Sequence, residues 1–100
     1  MAVFVPVAQL DIETSTEDER CLVEVRGEID LSNVGALETR LRRISSDEIV
    51  LDLSGVEYID CSGVALLFRT AGRLTVGAVS SAVDRVLRLC DFEGGIRPSA

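Results

Sequence analysis

The chain has 100 residues, a length that suits one compact domain, and 47% of them are hydrophobic, which argues against a disordered chain. A formal net charge of −7 disfavours direct binding to nucleic acid, because the phosphate backbone is also negative. The sequence has no histidine, which removes Ser-His and Cys-His nucleophile pairs and most metal sites. We therefore expect a binding protein rather than an enzyme, with no cofactor and no metal.

The cysteines and the apolar runs indicate the compartment. Cys21, Cys61 and Cys90 form no C-x-x-C pair, so they indicate neither a zinc site nor a disulfide framework. Free thiols are typical of the reducing cytoplasm. No apolar run approaches the roughly 18 residues that a membrane span needs, and residues 1–5 lack the basic charge of a signal peptide. We expect a cytoplasmic protein without a membrane span.

Two strands open the predicted order of elements. Residues 3–12 form the first strand, and Pro6 confines its start to an edge or irregular position. Residues 14–20 are polar and acidic, which favours a loop. Residues 21–26 alternate between apolar and polar side chains, which predicts a second strand antiparallel to the first.

A helix and a central strand follow. The helix has a core stripe at helical spacing: Val34, Leu37, Leu41 and Ile44. Three residues before it are able to cap it: Asp30, Ser32 and Asn33. Residues 49–53 are almost continuously apolar, which predicts a strand covered on both faces, and residues 54–60 leave it as a loop.

The remaining pattern predicts a helix, a strand and a helix. Residues 63–71 form a helix whose inward stripe is Val64, Leu67, Phe68 and Ala71. Residues 74–79 form a strand, and residues 81–90 form a helix whose inward stripe is Val83, Val86, Leu87 and Cys90. Phe92 is expected to close the core. The order β-β-α-β-α-β-α predicts an α/β fold in which about three helices pack on a mixed sheet with parallel pairs.

Ser62 lies directly before a glycine and a helix, where the ordinary role of a serine is an N-cap. The same position suits a phosphate group, because the first turn of a helix offers unpaired N–H groups and the positive end of the helix dipole. A phosphate there would add roughly −1.5 to −2 charges beside Asp60. From position alone, a helix cap and a modification site remain alternatives.

Three segments of the sequence resemble the bacterial anti-sigma factor antagonists, which are single STAS domains. They are GEID at residues 27–30, LDLSGVEYIDCSGV at residues 51–64 and VLRLCDF at residues 86–92. The middle segment is the specific one. The resemblance covers roughly residues 8–92, and it implies a STAS-type mixed sheet in a domain of residues 1–92, with a flexible tail at residues 93–100.

The resemblance also implies a mechanism. An anti-sigma factor with serine kinase activity would use ATP and Mg²⁺ to phosphorylate Ser62. The unmodified form would bind that anti-sigma factor and free its sigma factor, and a serine phosphatase would reset the switch. The residues expected to contact the partner surround the modified serine: Asp30, Asp60, Cys61, Ser62, Gly63, Leu66 and Arg69.

Several of these residues have a plainer interpretation. Asp30 either orders the Ser62 loop or contacts the partner, or it caps a helix. Cys61 is either a redox-sensitive thiol or, as we favour, a small residue in a tight turn. Asp52 and Asp60 resemble a catalytic acid pair but are better interpreted as turn carboxylates.

Leu66 is expected to be exposed. Together with Ser62 and Arg69 it follows helical spacing on the predicted outer face of the second helix, so it has no core to face. A docking surface is one interpretation of this pattern, and a scattered surface leucine is the other.

Two further function classes stay open at this point. A STAS domain that does not switch would serve as a stressosome-like scaffold or as an accessory subunit of a lipid-transport ATPase. A small thiol or serine enzyme would need a general base near Cys61 or Ser62, and the sequence offers no histidine for that role.

Overall fold

A computed structural model describes residues 9–90 of the chain. The predicted order of four strands and three helices is confirmed. The elements are β1 (Leu10–Glu17), β2 (Arg20–Ile29), α1 (Val34–Arg42), β3 (Glu48–Ile59), α2 (Cys61–Thr70), β4 (Leu74–Val79) and α3 (Ser81–Leu89). Within residues 9–90, no helix combines the length and the apolar character that crossing a bilayer requires.

The four strands form one mixed sheet in the order β1-β2-β3-β4. β1 pairs antiparallel with β2, while β2–β3 and β3–β4 are parallel pairs. The connections β2-α1-β3 and β3-α2-β4 are therefore crossovers, which bring the carboxyl ends of β2 and β3 to the same edge of the sheet.

The core lies on one face of this sheet. Alternate side chains of the strands are buried, for example Cys21, Val23 and Val25 on β2, and they form a single cluster with buried residues of all three helices. The side chains between them are only partly buried. Burial of a Leu or Val side chain contributes roughly 1.5–3 kcal/mol, so this cluster is the main source of stability.

The first strand differs from the expectation. The segment predicted as a loop, residues 14–20, continues β1 to Glu17, and the chain turns at Asp18, whose φ of 57° lies in the left-handed region. β1 is an edge strand whose residues after Ile12 are exposed, so backbone pairing with β2 specifies this part of the strand and no apolar alternation marks it. The part of the predicted strand at residues 3–8 lies outside the described residues.

β3 is longer than predicted, because residues 54–59 continue it where a loop was expected. Its pairing with β2 shifts register twice, and its buried residues Leu53, Val56 and Ile59 are spaced by three and not by two. A Cβ on Gly55 would lie 2.7 Å from the Arg26 Cγ atom, so this irregular stretch needs a glycine.

Two helix predictions are wrong in detail. Phe68 is 49% exposed and Cys90 is also exposed, although both were expected inward. α3 is capped by Ser80, whose hydroxyl accepts a hydrogen bond from the Val83 N–H at 3.1 Å. Phe92 lies outside the described residues, so its predicted role in the core stays a prediction.

Candidate functional site

The candidate site lies where β2 and β3 end side by side. Ile29 and Ile59 are neighbours across the parallel pair, and the Asp60 N–H donates to the Ile29 carbonyl at 3.1 Å. The residues that follow these two strands are therefore Asp30 and Asp60, and α2 begins directly after Asp60. This is the edge at which ligand sites in parallel sheets are found.

Asp60 is the residue that organises this edge. Its Oδ1 accepts hydrogen bonds from the Ser62 N–H at 2.9 Å, the Gly63 N–H at 3.2 Å and the Ser62 hydroxyl at 2.5 Å. Its Oδ2 accepts from the Leu31 N–H at 3.2 Å. One carboxylate thus caps α2 and ties the loop after β2 to it.

The prediction that Ser62 is the N-cap is wrong, because Asp60 has that role. α2 begins at Cys61, two residues earlier than expected, so Ser62 lies within the first turn. Both residue types are good caps, and the sequence alone does not decide between two of them in succession. Because Asp60 caps the helix, the Ser62 hydroxyl donates a hydrogen bond to it, and the Ser62 residue is half-buried.

The hydrogen bonds change the acidity of Asp60. Partial burial raises the pKa of this carboxyl group, but the bonds from the Ser62 hydroxyl and from the N–H groups of Gly63, Leu31 and Ser62 favour the charged form more strongly. The net result is a pKa below the ordinary value of 3.8. Asp60 therefore carries its negative charge directly against the Ser62 hydroxyl at neutral pH.

Gly63 is required by packing. It is buried, and a Cβ at this position would lie 2.6 Å from Ile59 Cγ1 and 2.8 Å from Ile29 Cγ2. The first turn of α2 thus rests directly on the ends of β2 and β3. This contact fixes the height of the Ser62 hydroxyl above the sheet.

Asp30 orders its own turn. Its Oδ1 accepts from the Ser32 N–H at 2.8 Å and from the Ser32 hydroxyl. Asn33 is the N-cap residue of α1, but its side chain reaches back to the Asp30 N–H and the Glu28 carbonyl at 3.0 and 2.7 Å. The residue that connects this turn with the Ser62 segment is Asp60, a role that was one of the alternatives for Asp30.

The remaining predicted residues lie on α2. Cys61 is exposed at the first position of the helix. Arg69 is also exposed, and its Nη2 lies 3.4 Å from Glu38 Oε1 on α1. Asp52 accepts from the Ser54 N–H on β3 and lies eight residues before the cap of α2, so it forms no pair with Asp60.

The expectation of an exposed Leu66 is wrong, since this side chain is 0% exposed. α1 packs against α2 at the Glu38–Arg69 ion pair, and Leu66 lies one turn before Arg69 on that flank. The buried stripe of α2 is therefore rotated towards α1, which buries Leu66 and exposes Phe68. Leu66 supports the site through packing and offers no surface for docking.

The arrangement as a whole presents a hydroxyl group and carboxylates on an open surface. Asp30, Leu31, Ser32, Tyr58 and Asp60 line a shallow depression at this edge of the sheet. Among residues 9–90, no group of three or more Cys, Asp or Glu side chains is placed to hold a metal ion. The geometry leaves this depression open to solvent, with the Ser62 hydroxyl held by the Asp60 carboxylate beside it.

Comparison with known proteins identifies the family of this chain. A family model described as "Mlab, STAS domain" matches residues 12–98. The anti-sigma-B factor antagonist of Staphylococcus aureus (strain NCTC 8325 / PS 47) is 33% identical over 92 residues, which is 85% of each chain. The anti-sigma-B factor antagonist of Staphylococcus epidermidis is 32% identical over the same length and share of each chain.

Solved structures agree in fold. The crystal structure of an anti-sigma factor antagonist from Mycobacterium paratuberculosis has a TM-score of 0.82 at 25% identity and covers 91% of this chain and 87% of that one. The anti-sigma factor antagonist SpoIIAA in its unphosphorylated form has a TM-score of 0.70 at 16% identity, covering 87% and 86%, and shows the fold alone. The chain therefore belongs to the anti-sigma factor antagonist (STAS domain) family.

Proposed function

We propose that this protein is a phosphorylation-controlled anti-sigma factor antagonist. In its unmodified form it binds an anti-sigma factor that has serine kinase activity, and this binding releases the sigma factor. Phosphorylation of Ser62 ends the binding, and a serine phosphatase restores it. The protein itself acts by binding and not by catalysis, and its place of action is the cytoplasm.

One observation carries this proposal. The Ser62 hydroxyl lies at the start of α2 and donates to the Asp60 carboxylate, whose lowered pKa keeps it charged. A carboxylate in this position orients the hydroxyl oxygen for attack on a phosphoryl group. The S. aureus relative is named an antagonist of an anti-sigma factor, which supports a partner of the same kind here.

The contact with Asp60 also indicates how modification would act. A phosphate on Ser62 removes the donated proton and places a group of roughly −1.5 to −2 charges against a carboxylate. The two anions repel each other at this distance, so the phosphate has to turn outward, towards the space that a docked partner occupies. Loss of partner binding follows without any change of fold.

Mass spectrometry of the protein from its own cells tests the proposal. An affinity-tagged chain is purified under mild conditions, its phosphopeptides are mapped and its bound proteins are identified. We expect two populations, one with phosphate on Ser62 and no anti-sigma factor, and one without phosphate and bound to it. A Ser62→Ala variant is the control and should bind constitutively. An anti-sigma factor bound equally by both populations would refute the switch.

A second candidate function has support from the family model, which is described by the name Mlab. In that case the chain would be an accessory subunit of a lipid-transport ATPase and would not switch. The same purification separates the two proposals. A stable complex with a transport ATPase, unchanged by Ser62→Ala and free of phosphate, would favour the accessory subunit.

A further inference from the structure

Two large apolar side chains lie exposed at the edge of the sheet that carries Ser62. Leu31 is 79% exposed and Tyr58 is 53% exposed, and both line the depression that Asp30 and Asp60 also line. Leu31 lies just outside the segments that carry the family resemblance, Tyr58 lies within the middle one, and neither residue is part of the core. Exposed apolar groups gathered in one depression are typical of protein interaction sites.

Leu31 is held in its exposed position by its own backbone. Its N–H donates to Asp60 Oδ2 at 3.2 Å, and the following N–H, of Ser32, donates to Asp30 Oδ1 at 2.8 Å. The turn is therefore fixed on both sides of Leu31. An apolar side chain that is presented by an ordered backbone loses little entropy when a partner covers it.

Tyr58 lies beside this turn on the irregular end of β3, opposite Glu28 in the parallel pairing. Its side chain combines an apolar ring with a hydroxyl group, the combination that makes tyrosine frequent among the residues that dominate binding energy. Leu31 and Tyr58 thus form an exposed apolar pair that a partner surface is able to bury.

The charges around the pair are all negative. Three acidic residues are close to it: Asp30 and Asp60 line the same depression, and Glu28 lies opposite Tyr58 in the strand pairing. None of these three carboxylates forms an ion pair with an arginine among residues 9–90. This edge is therefore an uncompensated acidic rim around an apolar centre, which is complementary to a basic surface.

We propose that Leu31 and Tyr58 are the apolar anchors of the partner-binding surface. They insert into an apolar cleft of the anti-sigma factor that is bordered by arginine or lysine side chains. This inference rests on the proposed function and names the chemistry of the partner. The acidic rim accelerates encounter, and the two anchors supply affinity once water is excluded. A phosphate on Ser62 is negative like the rim, so its charge does not repel a basic cleft. It ends binding because its bulk occupies the space between the two surfaces.

Isothermal titration with the anti-sigma factor identified by the purification above tests the anchors. We expect Leu31→Ser and Tyr58→Thr each to weaken binding by about tenfold or more. Leu89→Ser is the matched control, because Leu89 is 82% exposed at the end of α3, and it should change the affinity by less than about twofold. Leu31→Met, which keeps a large apolar side chain, should retain most of the wild-type affinity. Thermal unfolding of each variant verifies that it is folded.

The rate of association tests the chemistry of the partner. Raising NaCl from about 50 to about 300 mM should slow association several-fold if the cleft is bordered by basic groups. Wild-type affinity in Leu31→Ser and Tyr58→Thr would overturn this inference and leave the proposed function intact. An association rate that does not depend on salt would overturn the basic border, and a wild-type chain that binds no anti-sigma factor would overturn both proposals.

Discussion

The Asp60 carboxylate accepts a hydrogen bond from the Leu31 N–H at 3.2 Å, although 29 positions separate the two residues in the chain. The same carboxylate caps α2 and accepts from the Ser62 hydroxyl. The loop after β2 and the first turn of α2 are therefore one structural unit. A change at Asp60 has to affect both the stability of the helix and the position of the loop that carries Leu31.

Asp60→Ala should destabilise the protein by about 1–2 kcal/mol, because it removes the N-cap of α2 and the link to Leu31. Asp60→Asn keeps an acceptor and should cost less. Urea unfolding measures both values. Asp47→Ala is the control, since Asp47 is exposed in the turn before β3, and it should leave the free energy of unfolding nearly unchanged. Equal stability of Asp60→Ala and wild type would show that the carboxylate has no capping role.

The lowered pKa of Asp60 predicts a pH dependence of stability. Because the folded pKa lies below 3.8, the unfolded state binds the proton first as the pH falls. The contribution of Asp60 is fully present above its unfolded pKa and is lost as the pH falls through its folded pKa. The stability difference between wild type and Asp60→Asn should therefore shrink below about pH 4. A difference that stays constant down to about pH 2 would contradict this assignment.

Gly63→Ala should destabilise the protein by about 1–3 kcal/mol, because the new Cβ would lie 2.6 Å from Ile59 and 2.8 Å from Ile29. Gly35→Ala, in α1, is the matched control. No atom lies within 4 Å of a Cβ at Gly35, so the same substitution should stabilise the protein by about 0.5–1 kcal/mol. The opposite signs of the two changes, measured by thermal unfolding, are the expected result. Two effects of the same sign would contradict the packing argument for Gly63.

Arg73 is expected to stabilise the end of α1. Its guanidinium group donates to the Leu41 carbonyl, in the last turn of that helix, at 3.3 Å, and to the Ile44 carbonyl, two residues after the helix ends. Arg73→Ala should lower the free energy of unfolding by about 1–2 kcal/mol. Arg85→Ala, at an exposed position on α3, serves as the comparison and should have little effect. Similar losses for the two variants would mean that general charge, and not the cap, explains the result.

The sequence predicted the order of elements because alternating and helical spacing mark buried faces, and β4 has the predicted bounds. It did not predict the part of β1 after residue 12 or the end of β3, because edge pairing and register shifts leave no periodic signal. The rotation of α2 was missed for a related reason. Within five positions, α2 has four large apolar side chains: Val64, Leu66, Leu67 and Phe68. Only the packing of α1 selects which of them are buried.

The sequence predicted which edge of the sheet carries Ser62 and Asp30, but not the hydrogen bonds there. Ser62 and Asp30 lie at the expected edge of the sheet. The central role of Asp60 depends on a contact between distant parts of the chain, which no local pattern contains. Leu31 was missed because a single leucine in a turn carries no signal of exposure. The sequence around Tyr58 was noticed for its motif and not for its apolar surface.

The most direct test of the central claim is the dissociation constant of the complex with the anti-sigma factor, measured before and after enzymatic phosphorylation of Ser62. We predict binding that is at least about a hundredfold weaker for the phosphorylated form, and Ser62→Ala, which cannot be phosphorylated at this position, should bind as the unmodified protein does. Equal dissociation constants for the unmodified and the phosphorylated protein would contradict the account.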